Sequence, residues 1–93
     1  MELKKLEEGK NKLVFSIEGE DYTFCELLKM ELNSDESVKM TSFRIDHPLK
    51  GIPQMIVVTD GKKSPKDAIT EAIKRLKKKT SKFEKEIDNL KYI

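Results

Sequence analysis

Residues 64–90 read SPKDAITEAIKRLKKKTSKFEKEIDNL. Apolar or tolerated side chains recur at Ile69, Ile73, Leu76, Thr80, Phe83, Ile87 and Leu90, in alternating steps of four and three. This is the seam spacing of a helix that packs on another helix. Ser64 supplies a hydroxyl N-cap, Pro65 fits the first helical position, and Asp67 places negative charge at the positive end of the helix dipole. From Pro65 to about Lys91 such a helix runs roughly 40 Å at 1.5 Å per residue. A compact chain of 93 residues has a radius of gyration of only about 12 Å. The far end is therefore expected to overhang, presenting an apolar seam to a partner. Ala68 and Ala72 broaden the stripe in the first turns, where small residues allow close approach to a sheet. After Leu76 only the narrow seam continues. The near half is thus predicted to seal its own domain, and the far half to meet another helix.

Upstream, Met55-Ile56-Val57-Val58 is a short apolar run between Pro53 and Asp60-Gly61, the pattern of a central buried strand. Val38 to His47 is predicted as the strand before it, with a bulge near Thr41-Ser42, because Val38 and Met40 share one parity and Phe43 and Ile45 the other. His47-Pro48 is expected to end that strand, since proline cannot donate to the ladder. Lys12 to Glu18 alternates cleanly, with Leu13, Phe15 and Ile17 on one face. Glu2 to Glu8 is a weaker strand, with Leu3 and Leu6 out of strict alternation, joined to it through Gly9-Lys10-Asn11. Between these pairs, Tyr22 to about Asn33-Ser34 reads as a helix of three turns. Its apolar residues Cys25, Leu32, Leu28, Phe24, Leu27 and Met30 sweep roughly 220° at 100° per residue, about twice what one contact requires. A helix apolar on two sides is covered on two sides, one by its sheet and the other by a partner. The element order β-β-α-β-β-α predicts an α+β fold in one domain spanning residues 1–93: a four-stranded antiparallel sheet covered by helices, the last of them extended toward a partner.

Composition narrows the function classes. The chain is 37% hydrophobic and 39% charged with a net charge of +2, which suits one small two-layer domain with a large solvated surface. No apolar run approaches the roughly 18 residues a membrane span requires, and the N-terminus lacks the apolar core of a signal peptide, so a cytoplasmic protein is expected. The charge is unevenly placed. Residues 1–37 carry 10 acidic and 5 basic side chains, and residues 38–93 carry 7 acidic and 14 basic. Much of the excess lies in Lys74, Arg75, Lys77, Lys78, Lys79, Lys82 and Lys85, which suit either the solvated flanks of a partner-binding helix or a phosphate-facing patch.

Chemistry-bearing constellations are missing from the sequence. A nucleophilic site needs a base beside Ser, Cys or Thr, and the single imidazole, His47, precedes a proline at a strand end. The single cysteine, Cys25, lies on the apolar arc of the first helix, where a free thiol packs as a small hydrophobe. Asp35-Glu36 has no His or Cys companions for a metal, and the four glycines are scattered singly at turns, so no phosphate-cradling loop is expected. No catalytic residue, metal or cofactor is expected in this chain.

Two stretches carry a family resemblance. Residues 20–32, EDYTFCELLKMEL, look like the E-D-H-T-L-G-N-L-L-R-x-E-L helix start of the small alpha-like subunits of RNA polymerase. Residues 43–49, FRIDHPL, followed by VVTDG at 57–61, look like that family's Y-x-x-x-H-P-L and I-x-T-D-G segments. The likeness covers nearly the whole chain and is greatest to the archaeal L subunits, which are related to the N-terminal domain of bacterial alpha. Tyr22, Cys25, Glu26 and Lys29 depart from the family's histidine, glycine, asparagine and arginine. Thr23, Leu27, Leu28, Leu32, His47, Pro48 and Leu49 match it. The resemblance implies a non-catalytic assembly subunit of DNA-directed RNA polymerase, a nucleotidyltransferase whose reacting groups lie in other chains. It implies a heterodimer with a larger alpha-like subunit, D in archaea, on which the remaining polymerase subunits assemble. DNA would be reached only through the complex, with no membrane and no small-molecule substrate. In that geometry the first helices cross at the interface and the terminal helix lies against the partner. The expected contacts are Phe24, Leu27, Leu28, Glu31, Leu32, His47, Pro48, Leu49, Leu76, Phe83, Ile87 and Leu90. Two alternatives remain open: a free-standing nucleic-acid-binding module using the lysines of residues 74–85, and a homodimer zipped by its terminal helices.

Overall fold

The computed structural model describes residues 2–45 and 51–90, with side chains as far as Lys79. Its elements follow the order read from the sequence: β1 (Glu2–Glu8), β2 (Lys12–Glu18), α1 (Tyr22–Asn33), β3 (Val38–Arg44), β4 (Gln54–Thr59) and α2 (Pro65–Leu90). The strands form one antiparallel sheet in the order β1-β2-β4-β3, and both helices lie on one face of it.

The β1–β2 hairpin closes through a 2.8 Å hydrogen bond donated by Gly9 N to the Lys12 carbonyl. Its register shifts between Lys5 and Glu7, so Leu6 sits in a bulge, which is why Leu3 and Leu6 break alternation in the sequence. In β2, Phe15 and Ile17 are buried as their parity requires, with Leu13 half-buried against them. β4 is central, and Met55, Val57 and Thr59 are buried beneath the helices. Ile56 and Val58, on the sheet's other face, are only half-buried. The run is apolar throughout, yet among the described residues no second layer covers one of its faces.

The third strand departs from expectation twice. It ends at Arg44, three residues before His47, and its register shift lies between Val38 and Met40 instead of near Thr41-Ser42. The extra residue restores inward parity to Thr41 and Phe43 and turns Met40 outward, where it is exposed. Parity alone located a slip but not which residue absorbs it. His47, Pro48 and Leu49 lie outside the described residues.

Gly19, with φ of 87°, turns the chain out of β2 in a conformation that favours glycine. Asp21 then caps α1, its carboxylate accepting from Phe24 N at 3.0 Å. The second helix starts as read: Ser64 Oγ accepts from Asp67 N at 3.1 Å, with Pro65 at the first helical position. Ala68, Ile69, Ala72 and Leu76 of α2 are buried with Cys25, Leu28 and Leu32 of α1 over Phe15, Ile17, Met55 and Val57. The near half of α2 therefore seals the domain. The helix has 26 residues, and the molecule measures 51 Å along its longest axis, with a radius of gyration of 14.8 Å. A compact chain of this length would reach only about 12 Å. The elongation follows from a helix longer than the sheet it covers.

Candidate partner interface

Burial divides the wide apolar arc of α1 in two. Cys25, Leu28 and Leu32 have no exposed surface and form the roof of the domain's own core. At the other end of the arc, Leu27 is 42% and Met30 65% exposed, with Thr23 exposed on the same side. Phe24 is half-buried between the two regions. Tyr22 is largely exposed and meets Phe43 edge to face, ring centres 5.3 Å apart. A methionine and a leucine one turn apart on an uncovered helix face form a small apolar ridge at helix-packing spacing.

Several expected contacts are thereby corrected. Leu28 and Leu32 are fully enclosed within the chain and have no surface left for a partner; they position the ridge from beneath. Leu76 is likewise buried in the domain's own core. Glu31 faces α2 of its own chain. Its carboxylate is salt-bridged to Arg75 Nε at 3.0 Å and to Lys79, and Arg75 also donates from a terminal nitrogen to the Glu31 carbonyl at 3.0 Å. Met30 belongs in the ridge but is absent from the expected set. Its place at the far end of the 220° sweep, opposite Cys25, was the available signal. Phe83, Ile87 and Leu90 lie beyond the described side chains, as do His47, Pro48 and Leu49.

The polar joint between the helices has a measurable pH signature. The hydrogen bond from Lys79, with the one from Arg75, holds the Glu31 carboxyl below its ordinary value despite opposing desolvation. Asp35 is lowered in the same way by its hydrogen bond from Lys63, which also pairs with Glu71. A folded-state pKa below the unfolded one adds stability that is complete above the unfolded value and is lost as pH falls through the folded value. Thermal stability should therefore decline below the ordinary glutamate value of 4.5. Glu31→Gln should flatten that decline and cost about 1 kcal/mol at neutral pH, a modest figure because Lys79 is largely solvated. Melting curves of both proteins between pH 3 and 7 check this; parallel profiles would show that the joint is not ionic.

Catalytic chemistry finds little purchase. Cys25 is enclosed, and burial, with Asp21, Glu20 and Glu26 adding to it, pushes its thiol pKa up, away from the nucleophilic thiolate. Among the described residues no group of three or more His, Cys, Asp or Glu side chains could hold a metal. No described helix is long and apolar enough to cross a membrane. One concave feature on the helix side is an open groove of about 380 Å³ beside β1, lined by Leu3, Leu13, Phe15 and Ile69 with charged rims.

Comparison with known proteins decides the family. Residues 12–86 match the model of the RNA polymerase Rpb3/Rpb11 dimerisation domain. The chain belongs to this dimerisation family. Relatives include DNA-directed RNA polymerase subunit Rpo11 of Pyrococcus furiosus, 38% identical over 82% of each chain. Another is subunit Rpo11 of Sulfurisphaera tokodaii, 38% identical over 97% of each. Among solved structures, the fold resembles DNA-directed RNA polymerase subunit L of Thermoplasma acidophilum, with a TM-score of 0.80 at 24% identity over 95% of this chain and 86% of that one. The family match begins at Lys12, so it includes α1, both inner strands and most of α2, and leaves out β1.

Proposed function

We propose that this chain is a non-catalytic assembly subunit of an archaeal-type DNA-directed RNA polymerase, of the L or Rpo11 kind. It pairs with a larger alpha-like subunit, D in archaea, and the pair serves in the cytoplasm as the platform for the catalytic subunits. The observation that carries the reading is the second apolar face of α1: Leu27 and Met30 stand in water on a domain whose family is defined by dimerisation. The sequence seam of Phe83, Ile87 and Leu90 in the far half of α2 is the second contact this reading expects. The assembled polymerase supplies the chemistry, and this chain supplies shape.

Purification of the natively expressed chain from cell extract through a C-terminal tag tests the proposal. Co-elution of an alpha-like subunit and the large polymerase subunits in fixed proportion is the expected result. A chain recovered alone, or as a stable homodimer by sedimentation, would overturn it.

A further inference from the structure

The basic residues of α2 fall into two groups with different surroundings. Arg75 and Lys79 turn toward α1 and are held by Glu31. Lys74, Lys77 and Lys78 are on the outer side; Lys74, Lys77 and Lys78 are all exposed. With Lys74 as origin at 100° per residue, Lys77 and Lys78 fall within about 60° of it, while Ile69, Ala72 and Leu76 lie roughly 140–160° away. The lysines therefore sit opposite the buried stripe and do not flank it. The same period carries the row onward through the helical positions of Lys82 and Lys85. From Ala72 to Phe83 the helix has no acidic residue, and Glu71, just before it, is taken up by Lys63. Like charges at Lys74 and Lys78, and again at Lys78 and Lys82, cost the helix a few tenths of a kcal/mol each. Among the described residues no carboxylate pairs with Lys74, Lys77 or Lys78 to offset that cost.

We propose that this outer face of α2 binds the phosphate backbone of duplex nucleic acid without sequence preference. It is distinct from the Leu27–Met30 ridge on α1, because it lies on α2 opposite the stripe buried in the core. A protein partner fits less well: lysine is depleted at protein interfaces, whose energy comes from aromatic and arginine anchors, and this face has no aromatic while Arg75 is turned inward. A membrane surface fits less well too, since beneath Lys74, Lys77 and Lys78 the apolar side of α2, as far as Leu76, is sealed into the domain. A straight row of flexible point charges matches a phosphate backbone, where contacts position without reading bases.

Fluorescence anisotropy of a labelled 20-base-pair DNA duplex of arbitrary sequence, titrated with the full-length chain, tests this. If five lysines each neutralise a phosphate, affinity falls about 500-fold between 50 and 200 mM KCl, and for Lys74→Gln/Lys77→Gln/Lys78→Gln it falls only about tenfold. Lysine and glutamine have nearly equal helix propensity, so the variant should keep the parent circular dichroism spectrum. Absence of binding at 50 mM KCl, or an unchanged salt slope in the variant, would overturn the proposal. So would displacement of the duplex by polyglutamate at lower charge concentration than by unlabelled duplex, which would assign the face to an acidic polypeptide.

Discussion

Leu27→Glu combined with Met30→Glu is expected to leave the chain folded and to abolish the proposed pairing with a larger alpha-like subunit. Met30 stands mostly in water and Leu27 partly so in the isolated domain, and glutamate is a good helix former, so each change should alter folding stability by no more than about 1 kcal/mol. In the complex the same positions would bury carboxylates without partners, at a cost of several kcal/mol. A loss of about 3 kcal/mol already weakens binding more than a hundredfold. Co-expression of the double variant with the alpha-like subunit should return the two chains separately, the variant with a native melting curve. Recovery of an intact heterodimer would remove α1 from the interface.

One position along, the consequence reverses. Leu28→Ala should leave the partner-facing ridge chemically untouched and strike the fold, because Leu28 is wholly enclosed among Cys25, Leu32, Phe15 and the α2 stripe. Truncating a buried leucine costs about 2–5 kcal/mol, the spread depending on how far neighbours collapse into the cavity. For a domain of this size about 3 kcal/mol lowers Tm by roughly 12–24 °C. That is a large share of a total stability on the order of 5–14 kcal/mol. Thermal and urea denaturation of the purified variant measure it. A Tm within a few degrees of the parent would mean that the core is less closely packed around α1 than its burial indicates.

The contrast between Leu27 and Leu28 also shows where sequence reading reaches its limit. Period and capping carried the element order, the hairpin, the start of α2 and the burial of its stripe as far as Leu76, because each rests on local chemistry that tertiary context did not override. The 220° sweep of α1 likewise showed that two surfaces were present. Which end of the sweep faces inward is not a property of the helix. It is set by how α1 seats on β3 and against α2, so Leu28 and Leu32, which match the family motif just as Leu27 does, were read as contacts although they are core. The same holds for Glu31: a carboxylate on a helix gives no sign that a guanidinium 44 residues later will reach back to it. The bulge of β3 depends on pairing with β4 and could be inferred from parity only to within a few residues.

The joint made by Glu31, Arg75 and Lys79 has a mechanical consequence. Among the described side chains, Arg75 and Lys79 tie α2 to α1 at one carboxylate, and the helix runs eleven residues further, to Leu90. With that joint taken as a fulcrum, the arm beyond it spans about 16 Å. A tilt of about 10° at that fulcrum displaces the tip by roughly 3 Å, about half the rise of a helical turn. This would be enough to carry knobs out of the holes meant for them. Loosening the joint should therefore slow the capture of a partner while leaving every contact in the finished complex in place.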